Sequence, residues 1–250
     1  MASILVGTCD YDQCAGAESD PAPSPYAPPV PTVELNRPFH VMPTADQLRG
    51  CLERTGPSVV FAVVAHRSLT HEVVPAARRE RAAFLRAIEP LAEEGRLAAV
   101  LFTFPPQFRN VESGRRYLSA LLDDFSGVPV ALEFAHAGWY TNAVVDICRS
   151  REVAIVSADL PDLPGLPPLV DVTTAPFAYF RCHGRNGAAW EGAEARSEYS
   201  YADAELGGLA ERVRGIAPQV NRVFVYFSNS GMAADAAAFA ALVSRLGFAP

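Results

Sequence analysis

The sequence predicts an α/β fold, a TIM-like (β/α)8 parallel barrel that is irregular at its first and sixth helical positions. Three observations predict it. Eight short apolar runs rich in β-branched and aromatic residues recur along the chain. Most lack strict alternation, as strands covered on both faces do. Amphipathic stretches separate many of them, and 250 residues is the size of one such barrel, long enough to bury a sizeable core. An open doubly wound sheet would want a glycine-rich phosphate turn after the first strand, and GTCDYD lacks the GxGxxG spacing.

The runs are Ile4–Thr8, Thr32–Leu35, Val59–Val64, Ala98–Phe104, Pro129–Phe134, Val153–Ser157, Ala178–Cys182 and Arg222–Phe227. Helical spacing marks Thr44–Thr55, where Thr44 and Gln47 stand as in a capping box. Ala76–Glu94 sets Phe84, Leu85, Ile88 and Leu91 opposite an Arg/Glu face. Glu112–Phe125, Tyr140–Arg151, Ala202–Val213 and Ala233–Leu246 read the same way. Two helical positions break the pattern. Residues 9–31 hold PAPSPYAPPVP, six prolines in eleven residues; proline fixes φ and lacks an amide donor, so an extended loop or a lid is expected there. Asp159–Pro176 carries LPDLPGLPP and again replaces most of a helix. Residues 1–250 read as a single domain.

Acidic residues exceed basic ones by 28 to 21, a formal charge of −7. This balance argues against a nucleic-acid partner. Every basic residue is Arg, which removes lysine Schiff-base and P-loop lysine chemistry and leaves guanidinium, suited to carboxylate or phosphate. The five cysteines are scattered without a CxxC pair. No apolar run is long enough for a bilayer, and the amino terminus lacks the basic region of a secretion signal. A reduced cytoplasmic setting is the expectation.

In a barrel of this kind working groups lie at the carboxyl ends of strands. Charges inside apolar runs are the notable cases: Glu34 in TVELN, Glu133 in VALEF and Arg181 in YFRCHG. A charge inside a buried strand must be paired, so an internal ion pair of Arg181 with Glu133 or Glu34 stands beside a direct substrate role, and the two are compatible. His183 follows Arg181 by two and so shares its strand face, with Cys182 facing away. His136 lies three beyond Glu133. Cys9 reads as a small packed thiol. His66 and His71 read as solvated or capping residues, and His40 has no evident chemical context. No metal or other cofactor is expected; a divalent ion would draw on Glu34, Glu133, Asp159, His136 and His183, but no HExxH or clustered spacing supports one.

The segments LVGTC, TVELNRPFH, VVFAVVAHRSLTHE, AAVLFTFPPQF, VPVALEFAHAGW, VSADLPDLPG, FAYFRCHGRN, SEYSYADAEL and VFVYFSNSGMAADAAAFAALV give the chain a resemblance to the DUF72, or YecE-like, family along its whole length. The resemblance implies a TIM-like barrel of unestablished activity. It implies a pocket of Glu34, Asn36, Glu133, His136, Trp139, Asp159, Arg181, His183, Gly184 and Asn229. The chain departs from the family pattern at Asp10–Tyr11, Val64, Thr103, Ala135 and Ser228. Val64 and Ala135 stand where the family carries cations, which weakens any anion site that used them.

The leading expectation is an enzyme acting on a small polar or anionic substrate by acid–base chemistry. Glu133 or Glu34 would be the base, His183 a proton carrier and Arg181 the substrate anchor. Asn36 and Asn229 would orient the substrate, Trp139 would form an apolar wall, and His136 and Asp159 would line the pocket. Two alternatives stand beside it: a metal-dependent endonuclease-like phosphodiesterase, and a non-catalytic binding protein whose proline-rich segment engages a partner.

Overall fold

The computed structural model describes residues 2–9, 30–72, 77–187 and 198–248. Strands β1 (Ser3–Cys9), β2 (Thr32–Leu35), β3 (Val60–Val64), β4 (Leu97–Phe104), β5 (Val130–Phe134), β6 (Ala154–Ile155), β7 (Ser157–Asp159), β8 (Phe177–Cys182) and β9 (Arg222–Phe227) form one sheet. Their order is β6-β5-β4-β3-β2-β1-β9-β8-β7, and every pairing is parallel. The two ends of that order are one extended run. Only Val156 separates β6 from β7, and its N–H donates to the Leu132 carbonyl of β5. β6 pairs with β5 and β7 with β8, so the ring closes through this interrupted strand. The eight expected runs are thus all present, with the sixth in two pieces.

Helices α1 (Arg37–His40), α2 (Ala45–Arg54), α3 (Ala77–Glu93), α4 (Glu112–Asp124), α5 (Asn142–Ser150), α6 (Asp203–Ile216) and α7 (Met232–Arg245) connect the strands. The capping box of α2 forms as the spacing predicts: Thr44 accepts from the Gln47 N–H, and the Gln47 side chain accepts from the Thr44 N–H. The sixth helical position is irregular as expected, since residues 160–176 contain no helix. This segment is tied to the interrupted strand: Thr174 Oγ1 accepts from the Ile155 N–H, and Ser157 Oγ donates to the Val170 carbonyl. Most of the proline-rich segment lies outside the described residues. Among those described, no helix is long and apolar enough to cross a membrane.

Strand parity sorts the core. Inside the ring, Tyr179, Phe224 and Tyr226 of β8 and β9 pack with Ala62, Ala99, Ala131, Ala154 and Ala158 of β3–β7. Large rings on one side fill the space that alanines leave on the other, the interdigitation a small closed barrel needs. Residues of opposite parity, such as Val33, Leu35, Val63, Phe102, Leu132, Phe180 and Val225, face outward into two helix-covered cores. Gly7 is dictated by close approach: a Cβ there would lie 2.1 Å from the Thr32 carbonyl oxygen of the adjacent strand.

Candidate active site

Parity also builds the mouth of the barrel. The inward positions at and just past the strand ends are Asn36, Val64, Thr103, Ala135, Leu160, His183 and Ser228. These line a cavity of about 500 Å³ together with Glu133, Ala158 and Arg181. Phe39, Phe104, Phe134, Leu166 and three prolines, Pro105, Pro106 and Pro167, supply apolar wall, and His40 and His71 also border it.

At its base is an ionic cluster of inward-facing strand residues. Arg181 donates from Nε (3.1 Å) and Nη2 (2.9 Å) to Glu34 Oε1, and from Nη1 (2.6 Å) to Glu133 Oε2. These bonds use three of the five N–H donors of a guanidinium. Glu34 has 0% exposure and does not line the cavity. Its Oε1 also accepts from the Cys9 thiol at 2.9 Å, and its Oε2 from the Tyr179 hydroxyl at 2.5 Å. Burial and the adjacent Glu34 charge push the Tyr179 phenol well above its ordinary value, so it stays a donor. Glu34 therefore sits behind the site as the anchor of Arg181, the internal ion pair weighed from the sequence.

Glu133 is the carboxylate that reaches the cavity. Its Oε1 lies 2.6 Å from His183 Nε2. Burial alone would push this carboxyl up; the charges and hydrogen bonds of Arg181 and His183 outweigh it and hold the pKa down at about 2. Glu133 is thus ionised at neutral pH and can only accept, so Nε2 of His183 carries a proton. The other ring nitrogen, Nδ1, lies 3.2 Å from Ser228 Oγ.

Four of the remaining expected side chains lie elsewhere, and strand parity explains two of them. Asp159 and Asn229 have outward parity and do not line the cavity. Asp159 accepts from Arg185 Nε and Nη2, Arg212 Nη1 and the Tyr201 hydroxyl at 2.8–2.9 Å. Asn229 donates to Asp235 Oδ2 and the Tyr199 carbonyl. Trp139 is buried behind the wall, stacked on Phe134 at 4.7 Å and Phe108 at 5.1 Å, with its N–H on the Phe108 carbonyl. It supports Phe134 and does not itself border the cavity. His136 is engaged outside the cavity, between Arg109 Nη1 and the Gly138 N–H.

Asn36 is where the sequence expects it, on the cavity, and its Oδ1 is buried with no hydrogen-bond partner. Gly184, beside His183, has φ +88°, a conformation that suits glycine. A Cβ there would lie 2.5 Å from Tyr199 Cβ. Sequence reasoning missed the pair His40 and His71, both packed edge-on to Phe39 at 5.0 Å. The available signal was position, because His40 ends the short helix that follows β2. Partial burial and the Arg67 charge lower the His71 pKa. Among the described residues no three His, Cys, Asp or Glu side chains are grouped to hold a metal ion.

Fold and site together define a parallel α/β barrel whose cavity, ionic at its base and apolar along its wall, lies at the carboxyl end of its strands. The chain belongs to the DUF72 family: the model for "Protein of unknown function DUF72" matches residues 17–249. The UPF0759 protein YunF of Bacillus subtilis strain 168 is 27% identical over 230 residues, 84% of this chain and 82% of that one. The crystal structure of a DUF72 family protein from Thermotoga maritima superimposes with a TM-score of 0.82 at 30% identity, covering 98% of each chain. One from Enterococcus faecalis V583 gives 0.83 at 24% identity, again over 98% of each, a likeness of fold.

Proposed function

We propose that the protein is an enzyme acting on a small polar or anionic substrate, with His183 as its proton carrier. One observation carries this reading: His183 borders the cavity while its Nε2 is held 2.6 Å from an ionised, buried carboxylate. That arrangement fixes the ring and its tautomer and leaves Nδ1 as the acceptor for a proton. Glu133, ionised down to a pKa of about 2, is too weak a base to work near neutrality; its role is to orient and charge-balance His183. Glu34 holds Arg181 from behind. Arg181, with two N–H donors outside its ion pairs, anchors a substrate oxygen, and the unpartnered Oδ1 of Asn36 takes a substrate hydroxyl or N–H.

The metal-dependent phosphodiesterase reading has less support, because a guanidinium occupies the space between the two carboxylates that an ion would need. The partner-binding reading rests on the proline-rich segment, most of which lies outside the described residues.

A turnover screen tests the proposal. It uses p-nitrophenyl esters, phosphates and glycosides, together with hydroxy acids and sugars in D2O followed by proton NMR for exchange at carbon. The expected result is turnover of at least one compound, reduced roughly 100-fold or more by His183→Asn, the scale of lost general acid–base catalysis. Turnover that survives His183→Asn, or none across the panel, overturns it.

A further inference from the structure

We infer that Ser228 is a nucleophile, and that Glu133, His183 and Ser228 form a carboxylate–imidazole–hydroxyl triad for hydrolysis of small carboxylic esters. The inference rests on the reading of His183 as proton carrier and adds the group that attacks. The chain of contacts is continuous. Glu133 Oε1 lies 2.6 Å from His183 Nε2, and His183 Nδ1 lies 3.2 Å from Ser228 Oγ. All three residues line the same cavity. The carboxylate holds the proton on Nε2, which leaves Nδ1 of the neutral ring as an acceptor aimed at the hydroxyl.

The serine has one proton and two acceptors. Its Oγ lies 3.2 Å from the Cys182 carbonyl and 3.2 Å from Nδ1. With a neutral ring the hydroxyl donates to Nδ1, the activated arrangement. With an imidazolium it turns to the Cys182 carbonyl and accepts from Nδ1–H. Both protonation states are therefore accommodated by rotation about one bond.

The backbone under Ser228 is held. Its N–H donates to the Cys182 carbonyl, the Gly231 N–H to the Tyr199 carbonyl and the Met232 N–H to the Asn229 carbonyl. Asn229 Nδ2 bonds Asp235 and Tyr199, and Ser230 Oγ bonds Tyr199 on both its N–H and its carbonyl. The nucleophile thus sits on a fixed strand-to-helix turn between β9 and α7, the kind of support that preorganises a site. This also gives Asn229 a role away from the cavity, as a positioning residue of the turn.

The step balances without any group beyond ester and water. Ser228 Oγ bonds to the ester carbonyl carbon while its proton passes to His183 Nδ1. The carbon–oxygen bond to the alcohol breaks, and Nδ1 returns the proton to the leaving oxygen. Water then attacks the acyl carbon, gives a proton to Nδ1, and the acid leaves as Ser228 recovers its proton. Arg181, on the same cavity, is the group available to the developing oxyanion. Phe39, Phe104, Phe134 and Leu160 offer an apolar bed for the acyl or alcohol portion.

Phenylmethanesulfonyl fluoride and p-nitrophenyl acetate are the probes. On the wild-type chain, peptide mapping after sulfonyl fluoride treatment is expected to place one label per chain, on Ser228. Labelling and ester hydrolysis are expected to disappear in Ser228→Ala and to slow about 100-fold or more in His183→Asn. Label on other serines, or on none, overturns the triad. The wild-type mapping depends on no variant folding. If the label is missing while His183-dependent turnover of another compound persists, the nucleophile is wrong and the proton-carrier reading stands. If both are missing, both fall.

Discussion

Two buried ionic networks share the barrel strands and differ in what they face. The inner one joins Arg181 to Glu34 and Glu133, with His183 beside them. The outer one joins Asp159 to Arg185 and Arg212, with Asp171, Glu205 and Tyr201 around it. The inner network opens on the cavity; the outer one ties β7, α6 and the segment after His183 into a wall. The residue types are alike. What separates them is one step of strand parity, which turns Arg181 inward and Asp159 outward. The comparison teaches that a charge within a buried strand marks a site only when its parity points to the mouth of the barrel.

The largest expected effect comes from breaking the inner network at its centre. Arg181→Met leaves two buried carboxylates without the guanidinium they share, a loss of about 3–5 kcal/mol on the scale of broken buried ion pairs. Urea denaturation of wild type and variant measures it. A loss below 1 kcal/mol would show that the carboxylates find other partners.

Acid sharpens the same comparison. The Glu133 carboxyl falls from an ordinary 4.5 to about 2 in the folded chain. Between those values the unfolded chain binds more protons, so this group's contribution to stability is complete above pH 4.5 and is lost as pH falls towards 2. The full contribution is about 3 kcal/mol, order of magnitude. Glu133→Gln is expected to flatten this acid arm of the stability–pH curve. An unchanged arm would mean that other carboxylates set it.

The smallest effect is expected at the outer network. Asp159→Asn removes the charge on which Arg185 and Arg212 converge. Each keeps a second carboxylate, Glu205 and Asp171 respectively. The expected loss is about 2 kcal/mol, the scale of hydrogen bonds to charged groups, with any His183-dependent rate changed less than threefold. A rate collapse in a variant that still melts near the wild-type temperature would place Asp159 within the working site after all.

Much of this was readable before any coordinates. The pairing of Arg181 with Glu133 or Glu34 follows from the cost of an isolated buried charge, and all three turned up in one cluster. The shared face of Arg181 and His183, with Cys182 outside, follows from a period of two. Ser228 was also within reach: it is the inward continuation of Phe224 and Tyr226, and the same counting excludes Asn229. Trp139, His136, His40 and His71 were not readable this way. They lie in short helical turns and connections where no fixed period tells a side chain which way to face.

The amino-acid order alone determined the ring of strands, because apolar runs and their spacing are local properties that burial of both strand faces imposes. It also determined which residues of each strand face inward, since a pleated backbone alternates. Only the closed tertiary structure decided which inward residues meet. Arg181 reaches across 48 residues of sequence to Glu133 and 147 to Glu34. Those encounters depend on strand stagger and on the aromatic rings that fill the barrel beneath, quantities to which every strand contributes and no single segment encodes.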